Sequence, residues 1–311
     1  MRSAYLSLTA AMILVGLSVP ISKMAVAAVP PLVAADVRFA LVALALSPWA
    51  IRHGRRALPA TGGDWASLAL LSLFGMVLFN IFLMYGLRGT SATTAGILTS
   101  TIPAVTALCA AAILRERLTL RNGAAIALAM AGIAALNLAS HGSHSGNAGD
   151  GDTLRGNALV LGAVVSEGLY NVYARRLAGV SPLAVTFLAN LMAAVLALPF
   201  ALLTARGLTP ESLWGALSPG AWALYAGASL GNGLVAVVFW LRGAARIPAS
   251  RSGLFTGLLP VTVLVPSLFL LGERPTLAHA LGLAGVLAGI AVGVMPGRNR
   301  PATAHPQEAE P

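Results

Sequence analysis

Ten apolar stretches fill this chain almost from end to end, at 4–24, 32–51, 65–87, 90–114, 122–140, 156–174, 182–203, 220–241, 249–271 and 276–296. Each is close to the length a helix needs to cross the hydrocarbon core of a bilayer. A backbone in lipid has no water to pair with, so every such span must be helical. The composition agrees: 57% of residues are hydrophobic and only 10% are charged, where a soluble domain carries roughly a quarter. The expected fold class is an all-α integral membrane protein with ten transmembrane helices.

The spans are not ten independent solutions. At an offset of 157, Gly96 falls on Gly253, Thr99 on Thr256, Pro103 on Pro260 and Glu116-Arg117 on Glu273-Arg274. At 152, Gly16-Leu17 meets Gly168-Leu169, Lys23 meets Arg175 and Pro30 meets Pro182. At 154, Leu87-Arg88 meets Leu241-Arg242. Matches among Ala, Leu and Gly are cheap in such a chain, but a repeated Glu-Arg pair is not. An odd number of spans separates the copies, so the halves are expected to be inverted repeats of five helices, an architecture of secondary transporters. The expected organisation is a first repeat at 1–140, a flexible outside linker at 141–155, a second repeat at 156–296 and a disordered cytoplasmic tail at 297–311.

The net charge of +10 is topological. With the N-terminus inside, Arg2, Arg52, Arg55, Arg56, Arg115, Arg117, Arg121, Arg175, Arg176, Arg242, Arg246, Arg251, Arg298 and Arg300 all fall on one face. Only Arg88, Arg155, Arg206 and Arg274 lie opposite, and this bias places both termini in the cytoplasm. No partnership with nucleic acid is expected. Residues 1–24 followed by Ala25-Val26-Ala27 imitate a signal peptide, but their counterpart in the second half marks them as a span.

Polar groups inside the spans need a reason, because an ionisable side chain there costs at least about 2.5 kcal/mol. Glu167 is the deepest carboxylate, with Tyr170 and Asn171 on its own helical face. It is suited to carry a proton or meet an ammonium group, or else to tie helices together. Asn80, Asn190 and Asn232 lie at similar depth, Thr101 shares a face with Thr94, and Tyr85 and Trp240 flank the set. The expected substrate-binding residues are Asn80, Tyr85, Thr101, Glu167, Tyr170, Asn171, Asn190, Asn232 and Trp240. Lys23, the sole lysine, falls near Asp36 and Arg38. The three are expected to form an outer gate, with snorkelling to the headgroups as the other reading of Lys23.

Other features carry less. Pro20, Pro103, Pro199, Pro260 and Pro266 are expected to kink their spans. Gly285, Gly289 and Gly293 form a small-residue stripe for packing within the monomer or for a weak homodimer. Glu116-Arg117 and Glu273-Arg274 are expected to cap helix corners. The lone Cys109 allows no disulfide framework, and His141 and His144 near Asp150 and Asp152 make a poor metal site. The H-E-x-x-H and Walker A motifs are absent, so neither enzyme chemistry nor ATP drive is expected, and no cofactor or metal. An intramembrane enzyme and a non-transporting receptor or scaffold are the rival readings.

Three segments resemble the drug/metabolite transporter superfamily in its ten-helix EamA-type branch. They are Gly16-x-x-x-Pro20-x-x-Lys23, the run from Pro30 to Arg38-Phe39, and the repeated block ending at Glu116 and Glu273. Val15-Gly16 replaces the Trp-Gly start frequent in that family. The resemblance implies a bacterial inner-membrane metabolite carrier, often an exporter of amino acids or related amphiphiles, and among such carriers it points to the YddG-type amino-acid exporters. The residues themselves agree, since few charges, several amides and flanking aromatics suit a small zwitterion. A phosphate would want several converging cations.

Overall fold

Prolines and hydroxyl side chains mark where the helices begin. Helix α1 runs Arg2–Ala28 and α2 Pro31–His53, with Pro31 in the first turn, where a missing N–H costs nothing. Thr61 caps α3, Gly62–Gly86, by accepting from the Asp64 N–H at 3.1 Å. Next come α4, Ile102–Leu114, α5, Leu120–His141, α6, Leu154–Arg176, and α7, Pro182–Thr204. Ser218 caps α8, Pro219–Ala244, by accepting from the Ala221 N–H at 3.2 Å. Short α9, Ala249–Ser252, continues as a 3-10 turn over Gly253–Gly257, and α10 covers Leu277–Val294. This computed structural model describes residues 2–54, 58–86, 89, 98–99, 101–141, 154–259, 262 and 277–294.

Among the described residues the regular structure is wholly helical. Four helices, α2, α3, α7 and α8, are each long and apolar enough to cross a membrane. Large apolar side chains including Leu6, Leu44, Ile51, Leu108, Val195 and Leu202 are exposed on the bundle exterior, a surface suited to lipid.

The packing has a regular plan. Helix α5 packs on α10, α2 on α7, α3 on α6, α1 on α8 and α4 on α9. Exchanging α1–α5 with α6–α10 leaves these pairings unchanged. Two glycines repeat the relation at closer range. A side chain at Gly16 would collide with Thr262, and one at Gly168 would press on Val105 at 3.2 Å. Gly16 and Gly168 are mates at offset 152, as Val105 and Thr262 are at 157.

Three of the arginines that the charge bias assigns to one face contact other helices or the turn after α8. Arg246 lies 3.4 Å from the Ser3 hydroxyl, and Arg175 donates to the Ala245 carbonyl. Arg121 donates twice to the Val292 carbonyl near the end of α10, at 2.9 and 2.8 Å, supplying a cation and donors where a helix leaves free acceptors.

Glu116 shows what one member of the repeated Glu-Arg pair does. Arg115 closes α4 in the left-handed region at φ 56°, and the next residue then reaches α9. Glu116 accepts from the Ala249 N–H at 2.8 Å, the Ser250 N–H at 3.2 Å and the Ser250 hydroxyl at 2.8 Å. Pro248, at the N-cap of α9, provides no side-chain cap of its own. A carboxylate 133 residues away thus caps this helix. Glu116→Ala leaves those donors unpaired and is expected to cost about 1.5–3 kcal/mol, read as a lower Tm in detergent, with Glu116→Gln intermediate.

Several expectations change. Pro103 lies in the first turn of α4, which begins at Ile102, and most of the span before it is outside the described residues. Pro199 does lie inside α7, and Pro48 inside α2 is a further internal proline. Gly285 and Gly289 face α5 of the same chain, where a Cβ would come within 2.9 Å of Gly132 and 2.6 Å of Ala129. That assigns them to packing within the monomer. The linker beyond His141, the tail, Glu273-Arg274, Pro260, Pro266, the side chains of Pro20 and Lys23, and the surroundings of Gly293 lie outside what the structure describes.

Candidate functional site

Two helices that look regular in sequence depart locally from the α-helical pattern. In α3 the segment Leu73–Leu78 is a π-helix, and in α8 so is Gly231–Ala236. Such bulges free backbone groups and redirect side chains, and they occur frequently at functional sites. Here each borders the same interior space.

The larger cavity, of about 270 Å³, is lined by Ala11, Met12 and Val15 of α1, Phe79 of α3 and Ile102 of α4. Glu167 and Tyr170 of α6, Asn232, Val237 and Trp240 of α8, and Thr256 and Leu259 complete it. A smaller cavity of about 130 Å³ is lined by Arg38, Phe39, Gly75, Met76, Asn190 and Gly233. Glu167, Tyr170, Asn232 and Val237 line both, so the two abut across that group. The larger one is walled mainly by apolar side chains, with a few polar groups to orient a ligand, the usual make-up of a small-molecule site.

The lining residues come in pairs that the repeat makes equivalent. Val15 and Glu167 are mates at offset 152, Arg38 and Asn190 at 152, and Ile102 and Leu259 at 157. The space therefore lies where segments related by the sequence offsets converge. Its polarity is unequal: one half brings Arg38 where the other has Asn190, and Glu167 faces the site where the first half has Val15.

Of the residues expected to bind substrate, Glu167, Tyr170, Asn190, Asn232 and Trp240 meet in these cavities. Among the described residues the buried Trp240 Nε1 and Asn190 Oδ1 have no hydrogen-bond partner. The structure does not bring the other four into the lining. Asn80 donates to the Met76 carbonyl inside the π segment of its own helix. Asn171 is buried, donating to the Glu167 carbonyl at 3.0 Å and reaching the Thr106 hydroxyl of α4 at 3.5 Å. Thr101 donates to Leu98 at 2.6 Å and borders a separate, open pocket against α5. Tyr85 is 39% exposed near the end of α3.

The expected gate also divides. Arg38 turns inward and lines the smaller cavity, its guanidinium 5.0 Å from the Phe39 ring. Asp36, on the same helix, has a buried Oδ1 without a partner and belongs to neither cavity. Sequence reasoning missed Met12, Phe79 and Leu259, although Met12 and Val15 already share a helical face. Among the described residues no group of three His, Cys, Asp or Glu side chains could hold a metal.

The EamA-like transporter family matches residues 2–138 and again residues 154–295. The chain belongs to this family. A relative in Bacillus subtilis, named "Uncharacterized transporter YetK", is 35% identical over 298 residues, covering 94% of this chain and 87% of that one. A protein of Streptantibioticus cattleyicolor, named "Probable terminal-alkyne amino-acid exporter", is 28% identical over 252 residues, or 79% and 78% of the two chains. A crystal structure with 21% identity superposes with a TM-score of 0.75, covering 94% of this chain and 97% of that one, and shares the fold. This EamA-like protein is a membrane transporter.

Proposed function

We propose that this transporter exports small amphiphilic metabolites, above all amino acids with aromatic or other apolar side chains. Ten helices form two inverted five-helix halves that rock about the central cavities, exposing them to either side in turn. It works in the bacterial inner membrane with both termini cytoplasmic, without ATP or any cofactor. Support for the mechanism comes above all from one observation: the cavity lining pairs Val15 with Glu167, Arg38 with Asn190 and Ile102 with Leu259, equivalent positions of the two halves. A site between the halves is where rocking changes access. Support for the substrate class comes from apolar walls around a single carboxylate, and from the relative named as an amino-acid exporter.

Purified protein in liposomes is expected to move labelled neutral amino acids, tested as a panel with and without an imposed proton gradient. A rate indifferent to the gradient identifies a facilitator, and no movement of any panel member overturns the substrate class. Reporter fusions at residues 60 and 180 are expected on the same, cytoplasmic side. Placement on opposite sides would remove the inverted pairing.

A further inference from the structure

Arg38 is the cation in the lining, and nothing so far gives it a task. A guanidinium within an apolar span needs a partner or a path to water. Among the described residues no side chain or carbonyl is hydrogen-bonded or ion-paired to it; its guanidinium lies 5.0 Å from the centre of the Phe39 ring, and Tyr225 is its neighbour across to α8. Its stem lies against the α8 π segment, where a Cβ on Gly233 would be 3.9 Å from the Arg38 Cγ. Arg38, Asn232 and Glu167 all line the smaller cavity.

Glu167 is in the same condition. Its backbone carbonyl accepts from Asn171, but its carboxylate has no hydrogen bond or ion pair among the described residues. Two opposite charges thus face one space without pairing to each other. A salt bridge between them would close the site, whereas a ligand carrying both charges completes it.

We infer that Arg38 is the carboxylate anchor of the substrate site, holding the acid group of an α-amino acid while Glu167 holds its ammonium group. The planar guanidinium can grip a carboxylate through two parallel hydrogen bonds, a geometry that lysine lacks. With the head group fixed between Arg38 and Glu167, the side chain points into the larger cavity, against Met12, Phe79 and Trp240. Arg38 comes from the first half and Glu167 from the second, so the bound head group bridges the elements that must move. This assignment rests on the transport reading but makes a narrower demand. The protein must need both charges on the ligand.

The test measures binding to purified protein by thermal shift and by competition, with three probes sharing one side chain. They are L-phenylalanine, phenethylamine, which lacks the carboxylate, and N-acetyl-L-phenylalanine, which lacks the ammonium. Wild-type protein is expected to favour L-phenylalanine over each truncated probe by roughly 30-fold or more, as for removal of one member of a buried charge pair. In Arg38→Gln the preference over phenethylamine should collapse towards unity, while phenethylamine itself binds as before. In Glu167→Gln the preference over N-acetyl-L-phenylalanine should collapse instead. Arg38→Gln that retains the wild-type preference overturns the assignment. So does wild-type protein that binds phenethylamine as tightly as L-phenylalanine, an outcome needing no variant to fold. If neither L-phenylalanine nor L-leucine nor L-tryptophan binds wild-type protein, the amino-acid reading falls as well.

Discussion

Glu167→Gln combined with Asn232→Ala is expected to abolish transport while leaving a folded protein. Both side chains line both cavities, and the Asn232 amide lies within the unwound segment of α8. Neither makes a side-chain hydrogen bond that holds two helices together among the described residues, so removing them takes little from the bundle. From the ligand they take the anionic partner and an adjacent amide. Truncating one member of a buried charge pair costs about 2–5 kcal/mol, or roughly 30- to 4,000-fold in affinity. Initial rates of labelled amino-acid uptake into liposomes measure the loss, and a thermal-unfolding curve of the same preparation separates it from misfolding. Near-normal rates in the double variant would remove Glu167 and Asn232 from the site. Asn171→Ala should show the opposite profile: a lower Tm from losing the α6–α4 tie to Thr106, with substrate selectivity unchanged.

That contrast shows why the placement of Glu167 at the cavity is legible in the sequence and that of Asn171 is not. Depth within an apolar stretch, and a shared helical face with Tyr170, were enough to find the carboxylate and its neighbour. The same reasoning puts Asn171 on that face, yet a few tens of degrees of helix rotation decide between cavity and buried contact. Asn80 stays out of the lining for a different reason. Its amide satisfies a carbonyl of the Leu73–Leu78 π segment, and a 3.6-residue period cannot announce where a helix takes an extra residue. In the sequence Arg38 reads as part of an outer gate because it falls near Lys23 and Asp36. Only the pairing of α2 with α7, and the stem against Gly233, turn it inward. The repeat was the most productive signal. It gave offsets of 152 and 157, and those offsets relate the residues that converge in the cavity.

Gly289→Leu should produce the largest loss of stability of any single substitution considered for this protein. A Cβ at Gly289 would stand 2.6 Å from the Ala129 backbone nitrogen and 2.8 Å from the Ala125 carbonyl oxygen. Backbone cannot step aside as a flexible side chain can, so α5 and α10 must separate. Separation also opens the cluster of Ala107, Ala125, Ile126, Ala129 and Leu254, against which Ile290 and Val292 pack. It strains the two hydrogen bonds from Arg121 to Val292 as well. Overpacking of an ordinary core costs about 1–3 kcal/mol, and this contact lies at or beyond the upper end, lowering Tm by roughly 5–10 °C. Gly227→Leu provides the control, because a Cβ there meets nothing within 4 Å and replacing a mid-helix glycine is ordinarily stabilising. If the glycine stripe instead joined two copies of the chain, Gly289→Leu would convert dimer to monomer by light scattering and spare the unfolding temperature. The close approach of Gly289 to Ala129 within one chain argues for the first result.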